Sequence, residues 1–261
     1  MTEPVVDDGT VRTGNSRVRR CLTIAMAGLA LSGGMFLVAT MPVATRQGIN
    51  YEVSTHRVPL YVKTFDFFYR SAHYQILADE TTDGASTQHE RVLAIFDWTQ
   101  RNVRDTPEAW TVVDDHILNI IIRGHGTADQ QADVFTTLCT YAGIPAFWTK
   151  VEPKRLPTGL ILSFASVDGR WVVFDVANQV MFRNDRGELA TADDLRGRSD
   201  LIPPAVRELK VQDTRYYRFF EDLRPPLVPS PLRAELQMPW RRLRHELERV
   251  LGAEESDGLE R

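Results

Sequence analysis

Thiols and imidazoles are the side chains of this sequence best suited to act as a nucleophile or a general base. The chain has two cysteines, Cys21 and Cys139. Cys21 lies in a long apolar segment, so the remainder of the chain has a single thiol and no internal disulfide. Cys139 lies in the apolar run 138–141, where a buried cysteine behaves as a small hydrophobic residue and not as a nucleophile. The six histidines are His56, His73, His89, His116, His125 and His245.

A series of spaced motifs runs from residue 126 to residue 175. Gly126-Thr127-Ala128 opens a predicted helix, Gly143-Ile144-Pro145-Ala146 follows it, and a predicted hairpin then runs from Asp168-Gly169 through Trp171 to Asp175. This order resembles the transglutaminase-like family over roughly residues 88–180. The resemblance implies a papain-like fold, in which a cysteine, a histidine and an aspartate carry out thiol catalysis.

The sequence departs from the family pattern at the residues that matter most. In the family, the nucleophilic cysteine occupies the first turn of the central helix, where the helix dipole and a nearby histidine favour the thiolate. Ala128 stands at that place here, and Leu160 stands nine residues before the hairpin glycine, where the histidine is expected. No histidine falls in the predicted sheet region. The resemblance therefore implies a vestigial triad of Ala128, Leu160 and Asp175, without thiol catalysis.

Polar residues around the vestigial triad admit two interpretations. His125, Asp129 and Asp175, beside Thr127, could gather in the cleft as a metal site or as an acid/base pair. Alternatively, His125 supports a glycine turn, Asp129 favours the positive end of the helix, and Asp175 caps a turn after its strand. We favour the second interpretation, because no metal-ligand spacing such as H-x-x-x-H occurs. The same reasoning assigns Asp114-Asp115-His116 to helix capping, and we predict no metal or cofactor.

Three tryptophans fall near the expected walls of the cleft. Trp110, Trp148 and Trp171 could form an apolar platform for a sugar or a peptide. Trp148 and Trp171 lie on predicted strands, however, where packing in the core is the commoner role.

Periodicity predicts helices first and an antiparallel sheet afterwards, which is the α+β pattern. Apolar residues recur at helical spacing over roughly 59–79. Thr87 and Glu90 form a capping box for the next helix, and a short helix over HILNIII stops at the glycines 124 and 126. A central helix runs from about Ala128 to Tyr141 and has Gly143 at its C-terminal end. The predicted strands are AFWTKVE, GLILSFASV and RWVVFDVA, with a short fourth strand at 179–183.

The ends of the chain differ in character from this domain, which we assign to residues 59–224. A proline-rich linker and an amphipathic helix follow over 225–251, with leucines and Trp240 on one side and arginines on the other. That helix suits packing on its own domain, a protein partner or anionic lipid. The tail 252–261 is acidic and is predicted to be disordered.

Residues 21–44 form an uncharged stretch of 24 residues, long enough to cross a bilayer as a helix. Three arginines precede it and only Arg46 follows closely, so the positive-inside rule places residues 1–20 in the cytoplasm. A cleaved signal peptide is the alternative, but its apolar region is normally shorter. We therefore predict a signal-anchor, a polar tether over 45–58 and a domain outside the cytoplasmic membrane.

Amino-acid composition limits the classes of function that remain. The net charge of −4 gives no indication of nucleic-acid binding, and all but four of the 31 basic residues are arginine, which is typical of a GC-rich bacterial genome.

Three hypotheses for the function of the folded domain remain. The first is a non-catalytic, periplasmic or extracellular domain that binds a peptide, a glycan or a partner protein. The second is a hydrolase or transferase that uses His125, Asp129 or Asp175, and the third is a structural module that acts through the C-terminal helix.

Overall fold

The computed structural model describes residues 13–47, 54–113, 116–152 and 158–251. Asp114 and Asp115, and the tail predicted to be disordered, lie outside these ranges. The chain divides into two units. The first comprises residues up to 45 together with 55–65, and the second comprises 46–54 and the chain from Asp66 onward.

The first unit is dominated by a long apolar helix, α1 (Thr13–Thr40). Its part Arg19–Thr40 is long and apolar enough to cross a membrane, although a signal sequence near an N-terminus meets the same criterion. The helix ends at Thr40, four residues before the predicted end of the anchor. Strands β1 (Pro42–Gln47) and β2 (Ser54–Pro59), which overlap the segment 45–58 predicted as a polar tether, form a two-stranded sheet.

Helix α2 (Leu60–Thr81) begins in the first unit and continues into the second. The sequence predicted this helix correctly, but the apolar pattern that defines it does not face the core. Val62, Phe65, Phe68 and Ile76 are exposed. The buried residues of α2 are Ser71, Tyr74 and Ala78. The Tyr74 hydroxyl accepts a hydrogen bond from the Leu118 amide, and the Tyr141 hydroxyl donates one to Ser71, so these buried polar groups have partners.

Three further helices build one layer of the second unit. The Thr87–Glu90 capping box opens α3 (Gln88–Asn102), as predicted. Helix α4 (Ile117–Arg123) ends at Gly124 in the left-handed conformation. Helix α5 (Ala128–Tyr141) has the predicted bounds, and all its residues from Asp129 to Tyr141 are buried. The hydroxyls of Thr136 and Thr140 donate to carbonyls one turn earlier, which satisfies these polar groups inside the core.

Strands β3 (Arg104–Asp105) and β4 (His125–Gly126) form a short parallel pair. The opposite layer is an antiparallel sheet of four strands that pair in sequence order: β5 (Ala146–Val151), β6 (Leu160–Val167), β7 (Arg170–Asp175) and β8 (Val180–Met181). Ala165 and Val167 of β6 pack with the helices. Leu160, Leu162 and Phe164 face a second core on the other side. Since β6 is covered on both faces, its sequence is nearly continuously apolar.

The second core is closed by the C-terminal part of the chain. It contains α6 (Ala192–Leu195), α7 (Pro204–Arg207), the strand pair β9 (Lys210–Val211) and β10 (Thr214–Arg215), and a 3₁₀ helix at Tyr216–Phe220. The last helix, α8 (Pro239–Val250), starts later than the leucine pattern predicted. Leu232 belongs to the second core, and Pro239 occupies the first turn of α8, where its missing N–H is tolerated.

The turn between β6 and β7 gives a first testable prediction. Asp168 and Gly169 have φ of 50° and 77°, as a two-residue type I′ turn requires. Replacing Gly169 with alanine should cost about 1 kcal/mol of unfolding free energy, because an alanine Cβ is strained in the left-handed region. Asp168→Asn should be nearly neutral, since asparagine tolerates that region. Urea unfolding of the full chain in detergent would measure both, and equal stabilities would contradict the assigned turn.

Candidate functional site

A cleft of about 810 Å³ lies at the N-terminal end of α5. Cavities of this size are within the range that binds small ligands or parts of larger ones. The cleft is lined by Asp105, Thr127, Ala128, Asp129, Trp148, Lys150, Gly159, Leu160, Ile161, Asp175, Ala177, Asn178, Val211 and Gln212.

The turn that leads into α5 is fixed by two buried glutamines. The Gln130 side chain accepts from the Thr127 amide at 3.2 Å and donates to the Val113 carbonyl at 2.9 Å. Gln131 donates to the carboxylate of Asp105 at 2.6 Å and to the carbonyl of Gly126 at 3.1 Å. A Cβ on Gly126 would lie 3.0 Å from the Gln130 Cβ, so a larger residue there would require the Gln130 side chain to shift.

The structure brings the three vestigial triad positions to one cleft. Ala128 lies half-buried in the first turn of α5, and Leu160 begins β6. Phe174 pairs with Ser163, so Asp175 lies on the same face of the sheet as Leu162 and Leu160. Leu160 is buried in the second core, and its side chain can neither donate nor accept a proton. The residues at these two positions of the cleft wall are therefore an alanine and a leucine, where the family resemblance expects a cysteine and a histidine.

Asp175 is fully buried and has a complete set of hydrogen-bond donors. Oδ2 accepts from the Tyr216 hydroxyl at 2.6 Å and from the Asn178 side chain at 2.9 Å, and Oδ1 accepts from the Asn178 amide at 3.0 Å. Burial raises the pKa of the Asp175 carboxyl, while these hydrogen bonds act in the opposite direction. Burial and the neighbouring Asp175 charge also raise the pKa of Tyr216 well above its ordinary value. A tyrosine hydroxyl and an asparagine side-chain amide thus supply the donors to Oδ2 of the Asp175 carboxyl group.

The other polar candidates separate into two groups. Thr127 and Asp129 both line the cleft, and the Thr127 hydroxyl donates to Asp129 Oδ1 at 2.6 Å. His125 is not among the lining residues. Its ring contacts Thr106 at 3.4 Å and the edge of Trp110, with ring centroids 5.0 Å apart. Asp129 and Asp175 therefore both line the cleft, whereas His125 and Trp110 are not among its described lining residues.

Trp148 lines the cleft from β5, and its orientation is fixed from two sides. Its indole N–H donates to Asp133 Oδ1 at 2.7 Å. The Arg233 guanidinium lies 5.6 Å from the ring centroid and 3.2 Å from Asp133 Oδ2. Trp171 instead packs edge-on against Phe147 at 5.1 Å and does not line the cleft. Of the three tryptophans, Trp148 alone reaches the cleft among the residues that the structure describes.

Cys139, the thiol of the folded domain, does not line the cleft. Cys139 is fully buried in α5, and burial raises its pKa well above the ordinary value. No cysteine and no histidine lines the cleft among the described residues. Within the same ranges, no three histidine, cysteine or acidic side chains converge in a way that could hold a metal ion.

Sequence reasoning missed several residues of the site, among them Asp105, Lys150, Gln131 and Tyr216. Asp105 and Lys150 line the cleft, Gln131 fixes Asp105, and Tyr216 holds Asp175 from 41 positions away. The two glutamines at the start of an otherwise buried helix were a usable signal, because buried amides require partners. Tyr216 gave no such signal, since an aromatic run at 216–220 is explained equally well by packing.

Comparisons with known proteins agree with the family expected from the motifs. Residues 75–176 match the sequence model of the transglutaminase-like superfamily. No curated protein shows significant similarity to the chain.

Two solved structures are similar to part of this chain. One is a candidate cysteine protease from Cytophaga hutchinsonii, 24% identical over 46% of this chain, with a TM-score of 0.37. The other is a candidate protease from Parabacteroides distasonis, 21% identical over 52% of this chain, with a TM-score of 0.34. The chain spans only 40% and 36% of their lengths. The family match over residues 75–176, on an α+β fold with the motifs in their expected order, identifies a transglutaminase-like domain in this chain.

Proposed function

We propose that this protein is a membrane-anchored, extracytoplasmic binding protein, whose transglutaminase-like cleft holds a peptide, a glycan or a segment of a partner protein without thiol catalysis. The observation that carries the proposal is an open cleft of about 810 Å³ whose wall contains Ala128 and Leu160 at the expected catalytic positions.

The groups that line the cleft support the proposal that it lacks thiol chemistry. A methyl group at Ala128 cannot attack a carbonyl, and Leu160 cannot accept a proton. Asp175 is engaged by Tyr216 and Asn178, so it has no imidazole to orient. Cys139 is enclosed in α5 and its raised pKa disfavours the thiolate.

The same cleft has features suited to binding. Trp148 offers a rigid aromatic surface, and such surfaces contact peptides and sugars at a low entropic cost. Lys150 and Asp129 add charges of both signs. Strand β5, which carries Trp148 and Lys150, is an edge strand of the four-stranded sheet, and this favours an extended peptide over the other ligands.

The proposed location rests on α1 and its flanking charges. Arg17, Arg19 and Arg20 come directly before the uncharged part of α1, and a bilayer-spanning segment with this charge bias orients with its N-terminus in the cytoplasm. The domain then projects from the outer face of the cytoplasmic membrane of a bacterium, where peptides, glycans and envelope proteins are accessible.

Site-specific photo-crosslinking in the native cell tests the binding role. A benzophenone side chain at Lys150 should give covalent adducts with the ligand, because Lys150 is exposed and lines the cleft. The same group at Ile122, exposed on α4 and outside the cleft, is the matched control. Equal adduct yields at Lys150 and Ile122 would contradict binding in the cleft.

Two other outcomes of that experiment would favour the alternatives. Adducts at Leu243 of α8, where Trp240, Leu243 and Leu247 are exposed, without adducts at Lys150 would indicate a module that acts through its last helix. Turnover of a captured peptide that is lost in Asp129→Asn would instead indicate replaced chemistry, because the Thr127–Asp129 pair faces the cleft.

A further inference from the structure

The start of α2 is joined to the end of α1 by direct hydrogen bonds. The Leu60 amide donates to the carbonyl of Met41, the residue that follows α1, at 2.9 Å. Lys63 Nζ donates to the carbonyl of Ala44 in β1 at 2.7 Å. All these residues belong to the first unit of the chain. The first turns of α2 are therefore held beside the C-terminal end of α1, at the same height along the α1 axis.

The C-terminal end of α1 lies at a membrane surface if α1 spans the bilayer. The 22 residues Arg19–Thr40 extend about 33 Å as a helix, against a hydrocarbon core of about 30 Å. Thr40 and Met41 then lie at the boundary between lipid and water. Whatever is hydrogen-bonded to Met41 shares this boundary.

The exposed side chains at the start of α2 suit this boundary. Tyr61, Val62 and Phe65 are exposed and lie within about 100° of arc on the helix. Phe65 is 73% exposed, which is unfavourable for an aromatic ring in water. Tyrosine and other amphipathic aromatic residues are enriched where headgroups meet acyl chains, and lysine side chains tolerate the same region.

We infer that the N-terminal turns of α2 lie in the lipid interface, with Tyr61, Val62 and Phe65 in contact with the bilayer. The inference rests on the membrane anchoring proposed above. It explains why the apolar pattern of α2 does not face the protein core: part of that pattern has lipid as its partner. The domain is then attached to the bilayer at two points, α1 and the start of α2, instead of by one flexible connection.

Spin-label accessibility in the full chain tests this contact. Single cysteines at Phe65, Ile122 and Leu29, in a Cys21→Ser background, are labelled with a nitroxide and reconstituted in phosphatidylcholine vesicles. Cys139 is fully buried and stays unlabelled. These three positions are matched in exposure, at 73%, 73% and 74%. Collision with oxygen reports lipid, and collision with a water-soluble nickel chelate on both sides of the vesicle reports water.

The label at Phe65 should have a several-fold higher oxygen-to-nickel ratio than the label at Ile122. A ratio at Phe65 equal to that at Ile122, with an oxygen-dominated label at Leu29, would overturn the interfacial contact and leave the anchor intact. A nickel-dominated label at Leu29 would overturn the anchor and the contact together. If Phe65→Cys does not fold, Tyr61→Cys tests the same contact with the same expected ratio.

Discussion

Replacing Asp175 with alanine is expected to lower the free energy of unfolding by about 3 kcal/mol. The substitution removes the acceptor for Tyr216 and Asn178, and a buried donor left without a partner costs about 1–3 kcal/mol. Asp222→Ala, at an exposed position, is the control and should change stability by less than about 0.5 kcal/mol. Urea unfolding of the full chain in detergent provides the measurement. Equal effects of the two substitutions would show that the hydrogen bonds of Asp175 to Tyr216 and Asn178 do not stabilise the folded chain.

The same residue should make stability depend on pH. Because burial raises the pKa of Asp175 in the folded chain, the native state holds this proton more tightly than the unfolded state. Its contribution to stability is present below the ordinary carboxyl pKa of about 3.9 and is lost as pH rises through the raised value. Asp175→Asn cannot titrate and should lack this loss. The difference in unfolding free energy, variant minus wild type, should therefore increase with pH across that window.

The second large effect concerns thiol reactivity. In a Cys21→Ser background, Ala128→Cys should react with iodoacetamide at least about 100-fold faster than the native Cys139. Cys139 is enclosed and must wait for local opening of α5. A thiol at position 128 would face the cleft at a helix N-terminus, which lowers thiol pKa.

Mass spectrometry after timed labelling separates the two sites, and labelling in urea should make their rates similar. Rapid modification of Cys139 in the folded chain would contradict its assigned burial. If labelling of Cys139 also abolished an activity, the non-catalytic proposal would be overturned. Slow labelling of Ala128→Cys would show that the cleft is closed to solvent.

Local signals allowed much of this domain to be predicted. The bounds of α5 follow from a glycine turn on each side of the segment, and the turn at Asp168-Gly169 follows from residue types that are favoured in its backbone conformation. The order of the sheet follows because consecutive strands joined by short turns pair antiparallel. The family match confirms the resemblance that these motifs suggested.

Features that depend on distant partners were not predictable in the same way. The Asp175–Tyr216 hydrogen bond joins positions 41 apart, and no periodicity marks such a pair. The leucine pattern of the last helix included Leu232, which the folded chain uses in the second core. The apolar pattern of α2 indicated a helix but not which side would be covered, because periodicity is the same whether lipid or protein covers it.

The enclosure of α5 has a consequence for how this domain could change over evolutionary time. The continuous burial of its side chains begins at Asp129, one residue after the half-buried Ala128. Because Ala128 lines the cleft and alanine is the best helix former, we expect substitutions at this position to alter the cleft more than the stability of the helix. On the proposal that the cleft does not use thiol catalysis, selection on the chemistry of position 128 and selection on the folding of α5 act on different residues.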